Sequence, residues 1–490
     1  MTKTLSIFIA GAALVLAGCA SASQDRRAMA PACAEGAVRT VHSAVIGGKS
    51  LDYAACAGTL TVRGDDGEPL ADLFYTAYLV PGARDAGERP LTFVWNGGPG
   101  ADSRLLHFEA LGPRVLKDGA LVDNAASPLD ASDLVFLDPA DTGFSRTRSA
   151  EARKRLYSTV GDIAATTDFI VGFRLAYGRT HSPLFLIGES FGTWRAAGVA
   201  ERLADRGESV AGIGLISGGI PLGDYGDRAL MRALSLPGRT ASAAAHGRLA
   251  PELQSDVDAA IAEAEEWARE VWHPALADPA ALDPDRRKRT VAALARYHGI
   301  APSAVDADTL WISPRDFRTA LLADEGLTLN VFDMRKTGQR AASPQEESAV
   351  LRYYNRTLGY QAGDYAGIEV DAFPVGGQWQ YDQAPITEES LARAMAGEGP
   401  PSPSRPWTLR ALQKMPAMRV FVAAGLYDSL NSCAANEATV ATLPRDVAPR
   451  IRLHCYRGGH MMYDDPAVAK KFGSDVRSFL GNPRRSAFAS

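Results

Sequence analysis

A series of short β-branched, aromatic and aliphatic runs constrains this chain most: Thr59–Val62, Leu73–Val80, Leu91–Trp95, Leu134–Leu137, Leu184–Ile187, Ile213–Ser217, Val420–Ala424 and Ile451–Tyr456. Most lack the in–out alternation of a half-solvated strand. A strand that is apolar on both sides needs cover on both faces, which a mostly parallel sheet between helices provides. Between two of these runs, Leu156, Val160, Ile163, Thr167, Ile170 and Val171 recur at helical spacing, predicting one crossover helix over Ala152–Tyr177. Strands alternating with helices define an α/β fold with a parallel central sheet.

The strand signal fades from about Leu222 to Arg405. There, Leu253, Val257, Ile261, Ala264, Trp267 and Val271 mark an amphipathic helix with Pro251 near its first turn, and Arg286–His298 reads as a second helix stopped by Gly299. Gly397–Pro406 is rich in Gly and Pro and reads as a return linker. The expected organisation is a signal peptide over 1–18, a tether over 19–35, a core in two parts over 36–221 and 406–490, and a mainly helical cap inserted over 222–405.

The signal peptide rests on Lys3 followed by the apolar run Leu5–Ala17, which is shorter than the roughly 20 residues that span a bilayer. Leu16-Ala17-Gly18-Cys19 resembles the lipobox of bacterial lipoproteins. That resemblance implies cleavage before Cys19 and acylation of Cys19. Ala20 in the next position goes with an outer-membrane location facing the periplasm. A plain secretory signal is the alternative. In an oxidising compartment the remaining Cys33, Cys56, Cys433 and Cys455 allow three pairings; the local pairs Cys33–Cys56 and Cys433–Cys455 are favoured over the others and over four free thiols.

With 52 basic and 57 acidic residues, a formal net charge of −5 and no basic stripe, nucleic acid is excluded as an expected partner. Neither an HExxH helix nor paired CxxC motifs occur, so no metal and no cofactor are expected. Gly48-Lys49-Ser50 ends like a phosphate-binding loop, but Ser43 stands where its first glycine belongs.

Gly188-Glu189-Ser190-Phe191-Gly192 lies between the apolar run Leu184–Ile187 and the helical stretch Trp194–Leu203. In that setting G-x-S-x-G is a sharp strand-to-helix turn that lifts the serine hydroxyl above the sheet, with the next N–H at the helix start facing a developing oxyanion. A serine needs a base, and on such sheets the order is serine, acid, histidine. Among histidines after Ser190, His246, His273 and His298 fall in the cap, with His298 at a helix end reading as a surface cation, and His454 lies inside a strand. His460 follows Arg457-Gly458-Gly459 just after the last strand, so it is the expected base. Asp428, a few residues past Val420–Ala424, is the expected acid. Asn96-Gly97-Gly98-Pro99-Gly100 follows strand Leu91–Trp95 and offers a second backbone donor to the oxyanion.

Together, Asn96–Gly100 with Leu111-Gly112-Pro113, Val135–Ser145, Leu186–Ser190, Val422–Asp428 and Gly459-His460-Met461 resemble the serine carboxypeptidase family of α/β-hydrolases. The resemblance implies a triad of Ser190, Asp428 and His460 and an oxyanion hole from the N–H groups of Gly98 and Phe191. It also implies a grip on the peptide's terminal carboxylate by Asn96, Gly97 and Glu189, in which a shared proton favours acidic pH. The chain departs from the family at several points. Ala110 stands where a second glutamate completes the grip, with Glu109 one residue early. The family tryptophan position holds Val94, with Trp95 beside it, and Ala101-Asp102-Ser103 replaces Cys-Ser-Ser. The function implied is a serine carboxypeptidase acting on peptides through an acyl-enzyme. An esterase or acyltransferase on the same triad, or a peptide-binding lipoprotein without turnover, are the alternatives.

Overall fold

The computed structural model describes residues 31–82, 89–223, 227–339, 343–381 and 405–481. The signal peptide, Cys19 and most of the return linker lie outside them. In chain order the strands are β1 (Val38–Ile46), β2 (Lys49–Arg63), β3 (Pro69–Leu79), β4 (Leu91–Trp95), β5 (Arg114–Lys117), β6 (Ala120–Asp123), β7 (Asp133–Leu137), β8 (Arg146–Thr147), β9 (Leu184–Glu189), β10 (Gly212–Ile216), β11 (Arg419–Gly425) and β12 (Ile451–Tyr456). The main sheet runs β1-β2-β3-β7-β4-β9-β10-β11-β12, with β8 beside β3, and β5–β6 form a separate pair. From β7 to β12 every pairing is parallel. The edge β1-β2-β3 and its junction with β7 are antiparallel.

The missing alternation now has its cause. Strands β4, β7, β9 and β10 are buried at every position. Leu91, Phe93 and Trp95 of β4 enter one apolar cluster with Phe169, Phe173, Ala196 and Val199 of the helices Thr159–Ala176 and Gly192–Asp205. Val94 of the same strand enters a second cluster, with Phe472, Val476 and Leu480 of the helix Pro466–Leu480 on the other face. Each central strand thus feeds two cores, as its composition requires. The fold is that of an α/β hydrolase.

The middle of the chain packs a third apolar cluster of its own. Leu236, Leu253, Ala264, Trp272, Leu294 and Phe317 belong to it, and none of its members comes from a sheet strand. Helix Pro284–His298 ends as expected, with Gly299 left-handed at φ 66°. His298 itself is not a surface cation. It is fully buried, with Nδ1 2.8 Å from the Leu294 carbonyl, and burial holds its ring neutral, well below the ordinary imidazole value.

Other boundaries differ from the sequence reading. The expected helix Ala152–Tyr177 is two helices, Ala150–Leu156 and Thr159–Ala176, because Ser158 turns out of the first and accepts from Gly161 N to cap the second. The helix expected through Leu253–Val271 is broken likewise at Asp256, whose carboxylate caps Val257–Trp267. Strand β1 has no counterpart among the apolar runs; it is a sheet edge with few buried positions, so no such run announces it. Both favoured disulfides are formed, Cys33–Cys56 and Cys433–Cys455. The first fastens the end of the expected tether to β2. The second joins the start of helix Cys433–Ala441 to β12.

Candidate active site

Ser190 sits between β9 and the helix Gly192–Asp205 with φ 56°, a left-handed conformation that costs a non-glycine residue about 1–3 kcal/mol. The surroundings hold it there. Its N–H donates to the Ile216 carbonyl at 2.8 Å, and its own carbonyl accepts from Thr193 N and Thr193 Oγ1. The turn is so tight that a Cβ on Gly188 would stand 1.9 Å from the Gly192 carbonyl oxygen, which explains the small residues of the motif.

Asp428 and His460 follow neighbouring parallel strands, and the loops after β11 and β12 are laced together. Leu426 N donates to Tyr456 O, and Tyr427 N to Gly458 O. This brings Asp428 Oδ2 to 2.8 Å from His460 Nδ1, with both residues buried. The rest of the imidazole's seat comes from elsewhere. His460 N donates to Phe332 O, Ser217 Oγ donates to His460 O at 2.6 Å, and the Phe332 ring packs 5.3 Å from the imidazole. The same Val331–Met334 strap accepts from Ser429 Oγ and donates from Met334 N to Tyr427 O. Burial opposes a charge on His460, but the Asp428 carboxylate and its hydrogen bond, with Glu189, carry the ring above its ordinary value.

Ser190, Asp428 and His460 all line one cavity of about 860 Å³, and Gly98 and Phe191 line it too. The Ser190 hydroxyl makes no hydrogen bond to the His460 ring, a link that in free enzymes often closes only with substrate. The backbone N–H groups of Gly98 and Phe191 have no acceptor among the described residues. They are brought together by Gly97, where a Cβ would meet Phe191 N at 2.5 Å. The cavity wall is completed by Trp194, Trp311 and Tyr381 and by the polar turn Ser429–Ser432.

Asn96, Gly97 and Glu189 do not line this cavity. Asn96 Nδ2 donates to Glu189 Oε1 at 2.9 Å, Asn96 Oδ1 accepts from Leu106 N, and Glu189 Oε2 accepts from the Tyr463 hydroxyl. Asn96 and Glu189 are 1% and 2% exposed. They are thus buried against each other and are not among the residues that line the cavity. The partner of Glu189 Oε2 is a phenol, and nothing local in the sequence signals Tyr463, which meets Glu189 only through the fold. Below, Arg195, fully buried and paired with Asp162 at 2.7 Å, donates to the Asn96 carbonyl.

Residues 49–213 match the family described as serine carboxypeptidase. That segment holds Asn96–Gly100, Val135–Ser145 and the serine turn of the carboxypeptidase pattern; Asp428 and His460 lie beyond it. No curated protein matches the sequence. Among solved structures, a prohormone-processing carboxypeptidase from Saccharomyces cerevisiae, Kex1(delta)p, aligns with 14% identity and a TM-score of 0.52, over 87% of this chain and 91% of that one. At that identity the likeness is one of fold. Proline iminopeptidase from Mycobacterium smegmatis (15% identity, TM-score 0.34, 86% and 97% coverage) and a haloalkane dehalogenase variant from Bradyrhizobium elkanii (13%, 0.39, 88% and 98%) align more loosely and carry no argument.

Burial pushes the Glu189 carboxyl up to about 7, against the His460 charge and the hydrogen bonds from Tyr463 and Asn96, which lower it. Its anion in turn favours the His460 cation. Glu189→Gln keeps the shape and removes that charge, so the ring should lose its proton more readily. The acid limb of the kcat/KM profile, which reports formation of neutral His460, is expected to move to lower pH. A limb at the wild-type position would count against electrostatic coupling between the two.

Proposed function

We propose that this protein is a serine hydrolase that removes C-terminal residues from peptides through an acyl-enzyme. The observation that carries the reading is a strained serine sharing one cavity with a buried Asp428–His460 pair. In the proposed cycle His460 Nε2 takes the Ser190 proton as Oγ attacks the carbonyl carbon. The oxyanion is held by the N–H groups of Gly98 and Phe191, each worth about 3–4 kcal/mol of barrier lowering. His460 then gives the proton to the departing amine, and water repeats the sequence on the acyl-enzyme. The family match over residues 49–213 supports the carboxypeptidase assignment.

An esterase or acyltransferase on the same residues is the second reading, favoured by the withdrawal of Asn96 and Glu189 from the cavity wall. N-blocked peptides followed by mass spectrometry separate the readings. Stepwise shortening from the C-terminus is expected; turnover of activated esters with no shortening of any peptide would favour the second. Binding of peptides with neither reaction would indicate a non-catalytic lipoprotein.

From its sequence the protein is further proposed to be anchored through lipidated Cys19 in the outer membrane, facing the periplasm. Cys19→Ser should then leave the membrane fraction, and unchanged sedimentation with membranes would count against the anchor.

A further inference from the structure

Arg228, Arg232 and Arg239 line the cavity that holds Ser190, and Asp428, its carboxylate among the described residues, is engaged by His460. Arg239 is the unusual member. It is 3% exposed, yet no carboxylate among the described residues pairs with it. Nη1 donates to the Ile312 carbonyl at 2.8 Å and lies 3.3 Å from Nε2 of neutral His298, and Nη2 has no partner at all. The remaining contacts are aromatic faces: its guanidinium lies over Trp311 and Phe317, both at 5.5 Å, and Arg232 lies over Trp311 at 5.0 Å. Asp316, the acid whose charge reaches Arg239, is engaged with Ser313 in the capping box of the helix Pro314–Ala320. A buried guanidinium left without a counter-ion is costly, and burial lowers this one to about 9.

A second donor on the same wall is also orphaned. Asn431 Oδ1 accepts from Ser432 N and Asn436 Nδ2, which fixes the amide's orientation, and leaves Nδ2 buried without an acceptor. Arg239 and Asn431, both residues of this wall, each carry a buried N–H donor without an acceptor. Donors without acceptors match a ligand rich in lone pairs, and a guanidinium among them matches one that carries negative charge.

We propose that Arg239 anchors a carboxylate of the substrate within the Ser190 cavity. This rests on the hydrolase reading, and it gives the chain a carboxylate site in place of the withdrawn Asn96 and Glu189. The carboxylate can come from the peptide's C-terminus or from an acidic side chain next to the cleaved bond.

Two matched substrate pairs distinguish those sources: an N-blocked peptide against its C-terminal amide, and a glutamate-containing peptide against its glutamine counterpart. Wild-type protein should prefer the carboxylate in one pair, and Arg239→Gln should shrink that preference roughly 10–100-fold, the worth of a hydrogen bond to a charged group. The pair that collapses names the source. Fluorophosphonate labelling of Ser190 reports that the variant is folded. Wild-type ratios in both pairs, in a labelled variant, would overturn the carboxylate site and leave the hydrolase standing. If Arg239→Gln does not fold, wild-type protein decides: succinate should slow labelling where succinamide does not, and equal effects would overturn the proposal. Should wild-type protein resist labelling altogether, the hydrolase reading is the one lost. The site is then judged by calorimetry, where binding of succinate but not succinamide sustains it and equal binding rejects it.

Discussion

Ser190→Ala should abolish fluorophosphonate labelling and lower peptide turnover by about 10⁶-fold, the loss typical when the nucleophile of such a unit is removed. The fold should survive, because alanine keeps the main-chain bonds that hold the turn: its N–H to Ile216 and its carbonyl from Thr193. Retained turnover with a lost label would mean that another group carries the chemistry. Retained labelling would mean that the probe reacts elsewhere, and the proposed nucleophile would be abandoned.

Asp428→Asn should cost about 10⁴-fold in kcat with little change in stability. Asp428 Oδ2 accepts from His460 Nδ1 and Oδ1 accepts from Leu430 N. An asparagine can keep the Leu430 bond, but its NH₂ then faces Nδ1 and demands the other imidazole tautomer. That tautomer carries its proton on Nε2, where the base needs a lone pair. Steady-state kinetics beside thermal unfolding would separate this from simple misfolding. A variant within tenfold of wild type would show that orientation of the ring rests on the Phe332 and Ser217 contacts instead.

What could be read in advance was local. Strands β4, β7, β9, β10 and β11 are short and densely apolar, so their runs stand out without any knowledge of partners. The serine turn is local too, since the crowding between residues 188 and 192 is set within five positions. The sequence singles out Asp428 and His460 by order along the chain and by their places just past strand ends, and parallel neighbours bring those ends together. What escaped depends on distant segments. Tyr463 reaches Glu189, Phe332 receives the N–H of His460, and Arg239 meets Trp311, and none of these contacts leaves a periodic trace. The helix breaks at Ser158 and Asp256 were missed for a different reason: apolar spacing continues across them while a side-chain cap redirects the backbone.

The separate apolar cluster of the middle segment bears on how this molecule can change. Trp272, Leu294 and Phe317 are held by one another and take no support from the residues under the sheet. Arg232, Arg239 and Trp311 line the cavity that holds the serine, and Trp311 packs against that cluster. The cluster also reaches the expected triad, because Met334 belongs to it and donates to Tyr427 O, while neighbouring Phe332 accepts from His460 N. Substitutions in that block are thus expected to reach past ligand preference and to shift the seat of the imidazole as well.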